Sequence, residues 1–159
     1  MNLTLPVAVA SLALGIASQA PVARSLSDDD DAGMTPNAVL LDRMGLIKHE
    51  LKATARAVRN PDKPLDVAIV HVSMLERLIV ESKDLVPGRL ASLDAEQRGA
   101  ELTEYRRTQC KVLIELANLE MHLLDGDREA AWGVIAGPLA DLRDAGHDRF
   151  QIPEDEDDD

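Results

Sequence analysis

The chain has 159 residues and a mass of 17.3 kDa, enough for one domain. Hydrophobic residues reach 45% but aromatics only 2%, and Ala, Leu, Glu and Arg dominate, which argues against a β-sandwich or barrel and for helices. A net charge of −12 argues against a nucleic-acid partner, and the single cysteine, Cys110, excludes an internal disulfide, a cysteine-cluster metal site and covalent haem attachment through CxxCH.

The acidity is concentrated at two places. Residues 28–31 supply four negative charges and residues 154–159 six, leaving −2 for the rest of the chain. Such runs are solvating and disordered as a rule. Residues 3–17 are largely apolar and uncharged, too short for a comfortable membrane span and the right length for the core of a signal peptide. Ser18 and Ala20 form a candidate cleavage pair, with Ala17 and Ala23 as alternative ends, and no Lys or Arg precedes Arg24. The expected organisation is a signal peptide over 1–23, a disordered acidic linker over 24–35, a helical bundle over 36–151 and a disordered acidic tail over 152–159. Export implies a periplasmic protein with no membrane association once the signal is removed.

Thr35-Pro36 has the form of a helix N-cap followed by proline at the first helical position. Leu40, Met44, Ile47, Leu51, Thr54 and Val58 then recur with spacing 4-3-4-3-4, the seam of a bundle helix. Thr54 is its one polar member, tolerable if its hydroxyl bonds back to the preceding turn. Asn60-Pro61 stops this helix. Pro64 opens a second, with Leu65, Ala68, Val72, Leu75 and Ile79 as its seam and Val86-Pro87-Gly88 as its end, followed by a loop. Asp94 with Gln97 has the pattern of a capping box, and Leu102, Tyr105, Gln109, Val112, Leu116, Leu119 and Leu123 form the third seam, closed by Gly126. Asp127 caps a fourth helix with Ala131, Val134, Ile135, Leu139, Leu142 and Phe150 inside, kinked at Gly137-Pro138. Short connections between the first and second helices, and between the third and fourth, force antiparallel neighbours. The expected fold is all-α, an up-down-up-down four-helix bundle.

Function must come from residues that interrupt the apolar seam. Met44 has a plain reading as a core gap-filler and a functional one as a thioether ligand. His147 has a plain reading as a cation at a helix C-terminus and a functional one as an imidazole ligand. In an up-down-up-down bundle the start of the first helix and the end of the fourth share one end, so Met44 and His147 can face each other across one mouth. Tyr105 and Gln109 start the third helix at that same end. His49, His71 and His122 are expected at the surface. Paired Glu-x-x-His motifs, GxSxG, a P-loop and HExxH are all missing from the sequence, which disfavours a di-iron centre and hydrolytic chemistry.

With these residues the chain resembles the soluble cytochrome b562 family over about residues 37–150. The likeness rests on Leu41-Asp42-Arg43-Met44 with Leu51 seven positions on, and on the stretch from Arg143 through Gly146 and His147 to Phe150. The resemblance implies axial ligation of a non-covalent haem b by Met44 and His147, with Tyr105 packing on the haem and Arg143, one turn before the histidine, meeting a propionate. Gln109 stands where the family can carry a second aromatic, Gly146 replaces a larger residue, and Pro138 interrupts the ligand-bearing helix. The implied function is electron transfer rather than catalysis, because two axial ligands leave no open site on iron. A basic redox protein would be the partner, steered by the acidic runs. The alternatives are a haem-free exported bundle acting as an envelope binding or stress-response module, and an exported copper or zinc binder using Met and His.

Overall fold

A computed structural model of the chain describes residues 36–152. The expected signal peptide, acidic linker, Thr35 cap and acidic tail lie outside these described residues. Within them the protein is all helical, with no strand: α1 (Pro36–Arg59), α2 (Leu65–Ser82), a 3-10 helix (Gly88–Ser92), α3 (Ala95–Leu124), α4 (Arg128–Ala136) and α5 (Pro138–Phe150).

The local signals that set these boundaries are visible as hydrogen bonds. The Asp94 carboxylate accepts from the Gln97 amide at 2.9 Å and starts α3; Asp127 accepts from the Ala130 amide at 2.9 Å and starts α4. Gly126, between them, has φ of 78°, the left-handed conformation that ends a helix at little cost to glycine. Inside α1 the Thr54 hydroxyl donates to the Glu50 carbonyl at 2.9 Å, so this polar seam residue is fully buried and satisfied.

Two expectations are corrected. The fourth helix is not one kinked rod but two helices, α4 and α5. Pro138 has no N–H and its ring would strike the carbonyl one turn back, so it can only begin a helix. Gly137 turns the chain there, with φ −108° and ψ −104°; its amide still bonds the Gly133 carbonyl, and its carbonyl receives the Asp141 amide, both at 3.0 Å. The second correction lies after α2. That helix ends at Ser82, before Val86-Pro87-Gly88, and the expected loop contains the 3-10 helix. Arg98 holds this turn by donating to the carbonyls of Leu90, Ala91 and Leu93.

The helices α1 and α2 pack together, α2 packs on α3, α3 on α4 and α5, and α4 also on α1. The main core lies between them, built on Val58, Val72, Leu75, Leu116, Leu119 and Ile135. A second, smaller cluster of Leu90, Tyr105 and Phe150 joins the 3-10 helix, α3 and α5. The far end is closed differently. Arg128, at the start of α4, donates to the carbonyls of Ala57 and Val58, which the end of α1 leaves without helical partners, and to those of Asn60 and Lys63 in the turn beyond. Arg59 lies 5.1 Å over the Trp132 ring. Arg56, Arg59 and Lys63 line a shallow hollow beside them, a local basic cluster that the near-neutral composition of the body hides.

Candidate functional site

The residues singled out in sequence gather around one end of the bundle. Asn37 at the start of α1 lies against Gly88, where an added Cβ would meet its Oδ1 at 2.5 Å and push the Asn37 side chain aside. Arg89, the next residue, donates from Nη1 to the Asp148 carbonyl of α5 at 2.9 Å. Further ties join the other helices at this end. Arg43 pairs with Glu81 at 2.5 Å, the Tyr105 hydroxyl donates to the Ser82 carbonyl at 3.0 Å, and the Tyr105 and Phe150 rings touch. Met44 adjoins Arg43 on α1, and His147 stands one turn before Phe150 on α5.

Met44 is half-buried, between buried Leu40 and half-buried Ile47. Ile47 and Leu51 pack onto the main core; Met44 joins neither core cluster. On α5, Leu139 and Phe150 are buried, whereas Leu142 and Gly146 between them are half-buried. A Cβ at Gly146 would meet nothing within 4 Å, and the same holds at Gly45. Along α4 and α5 the inner face is thus buried at Ala131, Ile135, Leu139 and Phe150 and half-buried at Val134, Leu142 and Gly146. No packing between α1 and α5 matches that between α1 and α4.

His147 is exposed, and its ring makes no hydrogen bond among the described residues. Its positive form and Arg143 both hold the Asp144 carboxyl below its ordinary pKa, with the Arg143 hydrogen bond the larger cause. Arg143 is exposed and spends its guanidinium on Asp144, at 2.8 Å from Nε and 2.7 Å from Nη2. That pair is local and solvated, so the arginine can exchange Asp144 for another anion at small cost.

Tyr105 is the buried member of the set, 3% exposed. Burial pushes its phenol above the ordinary pKa, opposed by the Gln109 side chain, so it stays a neutral donor to Ser82. Gln109, one turn on, is also buried. Tyr105 is thus a wall fixed by a hydrogen bond and an edge-to-face neighbour rather than a free ring.

The other histidines divide. His49 is exposed and His122 half-buried, but His71 is half-buried with Nδ1 2.6 Å from Glu50 Oε2, a pair that no local pattern announces across 21 residues. Among the described residues no three His, Cys, Asp or Glu side chains are grouped to hold a metal ion, and no helix is long and apolar enough to cross a membrane.

Met44 and His147 have the chemistry of a haem-iron donor pair. A thioether and an imidazole are the donor pair that low-spin haem iron accepts. Leu142 and Gly146 beside the histidine are half-buried like Met44, while His147 itself is exposed. Comparison with protein-family models finds no match to this chain, and comparison with curated proteins finds none either.

Proposed function

We propose that this chain is an exported, periplasmic b-type haem protein that carries single electrons. The observation that supports it is the run of ties that brings the start of α1, the end of α2, Tyr105 of α3 and the end of α5, and so the segments carrying Met44, His147, Tyr105 and Arg143, to one end of the bundle. The ties Asn37–Gly88, Arg89–Asp148 and Arg43–Glu81 are those expected of an up-down-up-down, antiparallel bundle, in which the start of α1 and the end of α5 meet.

In this reading the Met44 sulfur and a His147 ring nitrogen hold the iron. Tyr105 and Phe150 wall the pocket, Gln109 lends it a polar side, and Arg143 leaves Asp144 to meet a propionate. Bound haem supplies a one-electron iron couple whose ferrous state thioether ligation favours. The chain's own contribution would be the two donors, Met44 and His147, and the exposed side of α5 that a partner could approach. The uncharged apolar stretch over residues 3–17 supports export, and the acidic runs support a basic redox partner.

One observation favours the second reading, a haem-free envelope binding or stress-response module: Tyr105 is already satisfied by Ser82 and Phe150. Titration of the purified protein with haemin separates the two. The first reading expects a one-to-one complex with a sharp Soret band and narrow reduced bands. A protein that leaves the haemin spectrum unchanged overturns it and leaves the haem-free module.

A further inference from the structure

The third helix carries a second apolar seam that faces solvent. Cys110, Ile114, Ala117, Met121 and Leu124 recur with spacing 4-3-4-3 on α3, opposite in character to the buried seam of Tyr105, Leu116, Leu119 and Leu123. All five are exposed, Ile114 by 60%, Met121 by 55% and Leu124 by 68%. A helix packed into a single core has no use for a heptad stripe on its outer side. Single exposed apolar residues need no explanation, but a continuous heptad stripe about 21 Å long, counting 1.5 Å per residue, marks a contact surface.

The charges along the stripe indicate what covers it. Lys111, Asn118 and Asp125 recur every seven residues along one edge. The end of the stripe near the α3 N-terminus is basic, with Arg107 beside Lys111, and the other end is acidic, with Asp127 beside Asp125. Arg107 already pairs with Glu104 of its own helix, whereas Lys111 and Asp125 make no ion pair among the described residues. On the opposite edge Glu120 is half-buried and within electrostatic reach of Glu76 of α2.

We infer that α3 is the interface for a second copy of this chain, which packs its own α3 antiparallel on the stripe. A two-fold axis near Asn118 sets Lys111 of each copy against Asp125 of the other, and Asn118 against itself. The same operation layers Ile114 on Leu124 and Met121 on Ala117, large against large at the ends and large against small near the axis, where the helices come closest. A parallel arrangement places Lys111 on Lys111 and Asp125 on Asp125, so the charge pattern selects the antiparallel one. Such an isologous contact closes as a dimer and does not propagate. It lies on α3 rather than at the Met44–His147 end, and it does not depend on haem.

Sedimentation equilibrium of the full chain, with Cys110→Ser to prevent disulfide formation, tests this across micromolar to millimolar concentrations. The expected result is a reversible monomer–dimer equilibrium. Ile114→Glu, at an exposed position that leaves the fold intact by far-UV circular dichroism, should weaken the dimer by more than about tenfold, as burying a charge in place of an apolar anchor does. Lys111→Asp and Asp125→Lys should each weaken it, and the two together should restore it. A chain that stays monomeric throughout overturns the inference. So does a dimer indifferent to Ile114→Glu, or a double charge reversal that weakens association further instead of restoring it.

Discussion

The rings of Tyr105 and Phe150 meet edge to face, with centroids 5.3 Å apart and planes at 81°. This contact fastens the end of α5 to the start of α3, and Leu90 of the 3-10 helix completes it. Phe150→Ala is expected to destabilise the fold by about 3 kcal/mol, the usual range for emptying a buried aromatic site. Tyr105→Phe should cost only about 1 kcal/mol, because the Ser82 carbonyl keeps the Leu85 amide as a second donor. Urea denaturation of the two variants checks the ranking; equal losses would mean that the hydroxyl matters as much as the ring.

Arg128 is expected to matter at the other end. Its guanidinium donates to the carbonyls of Ala57, Val58, Asn60 and Lys63, at the end of α1 and in the turn after it. Arg128→Ala should lose about 2 kcal/mol, since several partly buried acceptors lose a charged donor. Arg128→Lys should recover less than half of that, because an ammonium cannot reproduce the fork of the guanidinium. Urea midpoints of the two variants give the comparison.

Stability should also respond to pH through Glu76. Burial, reinforced by Glu120, raises the Glu76 carboxyl above its ordinary pKa. A carboxyl raised in the folded state binds its proton more tightly there than in the unfolded chain. It therefore opposes folding once ionised, and stability falls as pH rises from the ordinary carboxylate range through the raised value. Glu76→Gln should remove that fall, raising the thermal midpoint near neutral pH and leaving it nearly unchanged at acid pH. Glu101 acts in the opposite sense. Arg149 holds its carboxyl below the ordinary range, so its contribution is present at neutral pH and is lost on acidification. A Glu76→Gln variant whose midpoint falls at neutral pH would show that the carboxylate is stabilising after all.

The donor pair makes the sharpest test of the proposed function. With haem bound, Met44→Ala should turn a low-spin ferric spectrum into a high-spin or water-ligated one and weaken haem retention. An unchanged spectrum would transfer the ligand role to another methionine, such as the exposed Met74 or Met121. Arg143→Cys combined with Gly146→Cys creates a Cys-x-x-Cys-His run ending at His147. The Gly146 position has open space for the new side chain, with nothing within 4 Å of its Cβ. Passage through c-type maturation should then yield haem that stays with the protein after denaturation. Release of all the haem would count against His147 as the ligand.

The sequence by itself determined the helical course of α1 and α3, the start of α2, the Asp94 and Asp127 caps and most of the inner faces. Asp94, Asp127, Thr54 and Gly126 act within one turn of themselves, and the seams repeat every three or four residues, so both are legible without knowing what lies across from them. It also singled out Met44, His147, Tyr105 and Arg143 as candidates, by residue type and place along the seams. Only the tertiary structure decided which parts of those seams close. Val58, Leu75 and Ile135 are buried while Met44 and Leu142 are half-buried, although all five fall on the seams, because burial depends on what packs across from each. The Arg128 carbonyl contacts, the Glu50–His71 pair and the exposure of the Ile114–Leu124 stripe were likewise hidden. Each joins or exposes residues whose surroundings come from distant parts of the chain, and a periodicity reports that a face is apolar without reporting what covers it.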